Sequence, residues 1–353
     1  MKELLCAPDI LRKYLDKNSH RYAVLETNTD CNRRCSYCTI PQTYKKEGEL
    51  TLEETIGVVD SLHQQGFLLV SFLGGEPLAP FNTKEGITFA EHTLESVRHA
   101  SSKGMITNVT TNGDYINRDI VRALKGAGLD SLNFSLHSFT EAGINHLIKS
   151  ARIAAQAGIV PAIHALFTSA NTDVLPSIAS NIAENGILFS FNILHEKGMG
   201  FSAPRTGESN TPSLEQQKKV LAALLRLKSY GFVLNNRDYL TNTPNYHGNS
   251  WTCDPERDSF IHIGAGGFVN ICSEVRTGFK TADVSLTSQE WREQKRILVQ
   301  NCGNCLYKCY YEAQNTDLKG DIPMFLVMML IKSGNAALAE KLGKFAVQRI
   351  RKS

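Results

Sequence analysis

Six short apolar segments alternate with helical segments over roughly the first half of this chain, and that alternation constrains the fold more than any other feature. Residues 22–27, 68–73, 105–111, 132–136, 159–167 and 187–194 read as strands. Residues 51–65, 88–102, 117–125, 140–157 and 172–185 read as the helices between them, and 213–230 as a final long helix. Thr51 followed three residues on by Glu54 is a capping box. Gly126, Gly128, Gly158 and Gly186 stop three of the helices. Strands that alternate with helices form a parallel sheet with right-handed crossovers. The strands read as apolar and short, as expected when helices cover both faces. The fold class expected is therefore α/β, a partial (β/α)6 barrel with chemistry at the C-terminal ends of its strands.

After residue 231 the texture changes. Residues 235–252 are rich in Asn, Thr, Pro, Tyr and Gly, a loop composition. Residues 260–264 and 267–272 read as a hairpin with a Gly-rich turn. The division expected is an N-terminal helix over 1–21, a barrel over 22–232, a smaller cysteine-rich module over 233–318 and a helical tail over 319–353.

Composition narrows the function. A net charge of +3 across 353 residues gives no support to nucleic-acid binding. The first fifteen residues lack a long apolar core and do not read as a secretory signal. An odd count of 9 cysteines without such a signal points to a reducing, cytoplasmic setting, where clustered thiols are metal ligands rather than disulfides.

Cys31, Cys35 and Cys38 form Cys-x-x-x-Cys-x-x-Cys in the loop after the first strand. Soft thiolates suit an iron–sulfur cluster or zinc. Three of them leave one iron of a cubane open, and an open position is what chemistry requires. A structural zinc site is the alternative, although no His or Cys follows closely as a fourth ligand. Gly74-Gly75-Glu76-Pro77 ends the second strand and Thr111-Asn112-Gly113 ends the third. Alone, each is also a plain turn.

Together these motifs resemble the radical S-adenosylmethionine (SAM) superfamily, over roughly residues 22–195. The triplet includes the aromatic residue that the family carries before its last cysteine, here Tyr37. The resemblance implies that Cys31, Cys35 and Cys38 hold three irons of a [4Fe–4S] cluster whose fourth iron chelates SAM. It implies that Gly74, Gly75, Glu76 and Pro77 receive the SAM amino group and that Tyr37 lies near the adenine. Thr111, Asn112 and Ser135 join the cofactor-binding set. It further implies one-electron cleavage of SAM to a 5′-deoxyadenosyl radical that takes hydrogen from a substrate. His164 and His195 are weak candidates for a catalytic role, the alternative being ordinary strand-end histidines.

Cys253, Cys272, Cys302, Cys305 and Cys309 form a second constellation, with Gly267 five positions before Cys272. This looks like the SPASM extension, or its shorter twitch form. The full pattern has more cysteines and two extra clusters. Five thiols suffice for a single auxiliary [4Fe–4S] cluster, with Cys253, Cys272, Cys302 and Cys305 as preferred ligands and Cys309 as a replacement or spare. A zinc-ribbon-like site is the alternative, and Cys6 reads as an unrelated thiol. Asp254, Glu256 and Asp258 read as a solvated turn.

Only about twenty residues precede the first strand, too few for a leader-recognition domain by domain-size rules. That favours oxidation of a small-molecule or lipid-linked substrate over the alternative, modification of a ribosomally made peptide. A non-catalytic iron–sulfur or zinc scaffold is a third reading. A reducing partner such as flavodoxin or ferredoxin is implied. Residues 324–331 are an apolar run too short to span a bilayer, followed by a basic helical end. The tail reads as packed on the barrel or as a peripheral membrane contact.

Overall fold

The computed structural model describes residues 20, 22–38, 40, 48–194, 210–246, 251–273, 275, 277–281, 285–286, 288–302 and 306–315. Cys6, His195, Cys305, the expected N-terminal helix and the C-terminal tail lie outside the described residues.

The expected alternation is present. Strands β1 (Tyr22–Glu26), β2 (Leu69–Leu73), β3 (Ile106–Thr111), β4 (Ser131–Leu136), β5 (Val160–Phe167) and β6 (Leu188–Ile193) interleave with helices α1 (Leu52–Gln64), α2 (Phe89–Ser102), α3 (Arg118–Gly126), α4 (Glu141–Gln156) and α5 (Leu175–Glu184). Helix α6 (Leu214–Lys228) follows. Both Thr51–Glu54 and Thr88–Glu91 close reciprocal capping boxes, which satisfy amide donors that a helix start otherwise orphans. The six strands run parallel in sequence order and curl into a partial barrel.

One sequence expectation is corrected in part: β1 (YAVLE) and β2 (LVSFL) are largely apolar, but β4 and β6 are not apolar on both faces. In β4 (SLNFSL) and β6 (LFSFNI) polar and apolar residues alternate. Phe72, Phe134, Phe189 and Phe191 are fully buried within the barrel's hydrophobic core. Each such ring stabilises the fold by about 1.5–3 kcal/mol. Ser71, Asn108, Ser131, Ser190 and their neighbours occupy the other face. Successive side chains point to opposite faces, so a parallel sheet alternates when its inner face bounds a cavity rather than a packed core.

The cysteine-rich segment is joined to the barrel through its sheet. Strand β7 (Phe260–Ile263) pairs parallel with β1, in register Val24↔His262, and β8 (Val269–Asn270) returns antiparallel. The result is one 8-stranded sheet in the order β6-β5-β4-β3-β2-β1-β7-β8. At the other edge the Asn235 side chain exchanges both hydrogen bonds with the Phe191 backbone, at 3.0 and 2.9 Å, beside a parallel bridge between Phe189 and Val233. The stretch expected to be loop contains helix α7 (Arg237–Tyr246). Asn236 caps it through the Tyr239 amide, and Tyr239, Leu240 and Thr243 bury one face. Helices α8 (Gln289–Gln300) and α9 (Lys308–Gln314), with a short 3-10 helix (Ser169–Asn171) after β5, complete the described elements.

Asp258 departs from the solvated turn expected of it. It is 3% exposed, and its carboxylate meets Lys295 Nζ at 3.0 Å, an Arg292 nitrogen at 2.8 Å and Trp291 Nε1 at 3.1 Å. Burial holds the Lys295 ammonium below its ordinary pKa, and Asp258 opposes that shift. Asp258→Ala leaves this buried cation without its carboxylate. The expected loss of unfolding free energy is about 3–5 kcal/mol, measured by chemical denaturation. A loss below about 1 kcal/mol, the scale of an exposed pair, would show that the network does not anchor α8.

Candidate active site

The C-terminal ends of the strands and their inner faces enclose a cavity of about 570 Å³, within the roughly 300–1,000 Å³ of ligand pockets. Cys31, Cys35, Cys38, Tyr37, Gly74, Gly75, Glu76, Thr111, Asn112, Ser135 and His164 all line it. Pro77 does not; its carbonyl accepts from Thr93 Oγ1 at 2.8 Å, toward α2. The thiols share one wall, although among the described residues no group of three or more His, Cys, Asp or Glu side chains is gathered as a metal-holding set.

The two glycines have a steric reason. The loop after β2 lies directly on the start of the cysteine loop, with Gly75 N–H donating to Asn28 O at 2.9 Å and Glu76 N–H to Asp30 O at 2.7 Å. A Cβ on Gly75 would stand 2.0 Å from Asp30 O, and one on Gly74 2.6 Å from Asn28 O. Only glycine permits that approach.

Glu76 ties the second motif to the third. Its carboxylate is 1% exposed and accepts from Leu78 N–H (3.0 Å), Thr111 Oγ1 (2.7 Å) and Asn112 N–H (2.8 Å). Burial pushes the carboxyl above its ordinary pKa, and the three donors pull against that shift. Asn112 in turn donates to Asn32 Oδ1 at 2.8 Å. Asp114 accepts from Asn32 and from the Arg33 guanidinium in a bidentate pair. The cysteine loop is thus fastened from β3. Arg33 and Asp114 were not singled out in the sequence, although Asp114 directly follows the Thr-Asn-Gly motif.

Around the thiols the environment is apolar enough to matter. Burial pushes the Cys38 thiol up to about 11 and raises that of Cys31. Arg33 N–H donates to Cys31 Sγ at 3.3 Å. His137 was also missed by sequence reasoning: its Nδ1 lies 2.7 Å from Tyr37 Oη and 3.4 Å from Cys35 Sγ. Burial lowers its pKa to about 4, so the ring is neutral. His164 Nδ1 pairs with Ser190 Oγ at 2.8 Å, and burial drives its pKa well down. Deeper in the wall, Glu26 and His262 form a buried pair at 3.0 Å.

The second constellation divides. Cys253, Cys272 and Cys302 line a small pocket together with Trp251, Tyr307 and Tyr310. Cys309 lines the large cavity instead, its thiol pushed up to about 11 by burial. Tyr307 borders both spaces. These donor sets suit iron–sulfur clusters: soft thiols in two separate groups, one opening on a cavity of ligand size. Among the described residues no helix is long and apolar enough to cross a membrane.

Comparison with known proteins agrees with this arrangement. The model described as the Radical SAM superfamily matches residues 25–200. The PqqA peptide cyclase of Bradyrhizobium diazoefficiens is 33% identical over 119 residues, 33% of this chain and 29% of that protein. An S-adenosylmethionine-dependent nucleotide dehydratase of Flammeovirga pacifica is 30% identical over 96 residues, 26% of this chain and 30% of that protein. The chain spans less than a third of the length of either relative. Native anSMEcpe with bound AdoMet and Cp18Cys peptide superposes with a TM-score of 0.57 at 14% identity, covering 92% of this chain and 99% of that one. Streptococcus suis SuiB bound to precursor peptide SuiA gives 0.59 at 16% identity, covering 85% and 74%.

Proposed function

The chain belongs to the radical SAM superfamily, and from that premise we propose that it is a maturase that modifies a ribosomally made peptide. When bound, the [4Fe–4S] cluster and SAM supply the 5′-deoxyadenosyl radical that abstracts hydrogen. Cys31, Cys35 and Cys38 would hold the cluster. Gly74, Gly75 and Glu76 would border the SAM methionine, with Thr111 and Asn112 fixing the Glu76 carboxylate and Ser135 facing it from β4. Tyr37 and His137 would flank the adenine side.

Cys253, Cys272 and Cys302 would hold an auxiliary [4Fe–4S] cluster in a SPASM- or twitch-like module, with Cys305 beside them in sequence. Cys309 is then the spare thiol, on the substrate side. His164, hydrogen-bonded to Ser190, would offer the substrate a hydrogen-bonding imidazole within the cavity. Flavodoxin or ferredoxin would be the reductant.

The observation that carries the peptide reading is the recurrence of peptide-acting proteins among the similar ones: a PqqA peptide cyclase, SuiB with its precursor peptide and anSMEcpe with a peptide. It supports this reading better than the small-molecule or lipid-linked substrate favoured from the sequence. The test is anaerobic affinity capture of the tagged chain from its own cells, with sequencing of bound peptides by mass spectrometry. Each captured peptide is then incubated with the reconstituted protein, SAM and dithionite. Peptide-dependent 5′-deoxyadenosine and a changed peptide mass are expected. Turnover stimulated by small alcohols and indifferent to the captured peptides would overturn the reading.

A further inference from the structure

The polar side chains that line the lumen are unevenly satisfied. Some of its side chains pair with each other: Asn108 Nδ2 donates to Ser71 Oγ at 2.9 Å, and Ser131 Oγ donates to Asn108 Oδ1 at 3.0 Å. Among the described residues, three buried atoms on side chains that line this cavity have no hydrogen-bond partner: Asn133 Oδ1, Asn192 Oδ1 and His262 Nδ1. Buried polar atoms are almost always bonded, and each exception asks for a reason. Here the exceptions stand on three strands, β4, β6 and β7, around one space. His262 is 2% exposed, and its other nitrogen is held by Glu26.

From this pattern we infer that the lumen receives a main-chain amide of the substrate, with Asn133 and Asn192 as the residues that bind it. This rests on the peptide reading above and adds where the peptide is gripped. The side-chain amide of Asn133 carries an acceptor and donors side by side, the complement of a peptide unit. The wall opposes the main rival, a phosphate-bearing substrate. Among the described residues its lysine and arginine side chains are Arg33, already paired with Asp114, and Lys308, and the Glu26, Glu76 and Glu312 carboxylates lie among the lining groups. A phosphate would meet three carboxylates and little free cationic charge.

The test uses the full chain, reconstituted anaerobically with SAM, in equilibrium dialysis against three labelled probes. These are triglycine blocked at both ends, which is main chain alone, myo-inositol and AMP. The wild type is expected to retain the blocked triglycine in preference to the other two. Asn133→Ala and Asn192→Ala each weaken that retention about five- to tenfold, the scale of one neutral hydrogen bond. Asn133→Asp keeps the shape and an acceptor but not the donor, so it loses only part of what Asn133→Ala loses. Far-UV circular dichroism and a thermal melt identify any variant that fails to fold, and the remaining variants then decide the matter. Absent retention of triglycine overturns the inference. Retention that the folded variants leave unchanged overturns it too, while the peptide reading stands. Preferred retention of inositol or AMP overturns both.

Discussion

Replacing Cys31, Cys35 and Cys38 together by alanine is expected to abolish 5′-deoxyadenosine formation from SAM and dithionite, a fall of at least about a thousandfold, as when groups that act as a unit are removed. Iron content should fall with it, from roughly eight to roughly four atoms per chain if each cluster is a cubane. The two readouts address different groups of thiols. The triplet faces the large cavity, whereas Cys253, Cys272 and Cys302 line their own pocket. The variant should therefore keep the second complement of iron. A variant that loses all of its iron would show that the two sites load together. Undiminished 5′-deoxyadenosine would refute the assignment of the triplet.

The second large effect is expected at Glu76. Its carboxylate accepts three donors from inside the protein, and alanine leaves the Leu78 and Asn112 amides and the Thr111 hydroxyl without their acceptor. Each unsatisfied donor costs about 1–3 kcal/mol, so Glu76→Ala should destabilise the cluster-free protein by about 3–5 kcal/mol. Glu76→Gln should cost less. It can keep an acceptor toward Leu78 and Thr111, but it presents an amino group to the Asn112 N–H. Chemical denaturation measures the stability, and equilibrium dialysis of SAM measures the site. Because Asn112 also holds Asn32 in the cysteine loop, the alanine variant should lose SAM binding as well. A variant as stable as the wild type would mean that water replaces the carboxylate, and that Glu76 is not the joint between the two motifs.

Much of this arrangement was legible in the residues themselves. Helix starts announced themselves through Thr51–Glu54, and the strands through short apolar runs ended by glycine. The cysteine triplet, Gly74–Gly75–Glu76 and Thr111–Asn112 fell on one cavity, as their places at successive strand ends implied. What escaped was non-local. Nothing near His262 says that its strand pairs with β1, more than two hundred residues earlier. The Glu26–His262 pair therefore had no local signature. Asp258 carries an acidic residue's usual surface signal, and only the fold brings Lys295 and Arg292 to it. Helix α7 escaped because Asn, Thr and Pro set a loop-like composition, while Tyr239 and Leu240 supplied the burial that overrides it. The alternation in β4 and β6 was visible, yet a parallel sheet is expected to be apolar on both faces, and that expectation hid it.

The alternating strands also bear on how such a protein changes over time. Phenylalanines and aliphatic residues on the outer faces hold the barrel together, whereas the polar side chains of the inner faces add little apolar packing to it. Substitutions at Asn133, Ser135 and Asn192 therefore draw lightly on the stability reserve that limits which mutations a protein tolerates. Selection, in nature or in a library, has room there to retune what the lumen accepts without dismantling the scaffold around it.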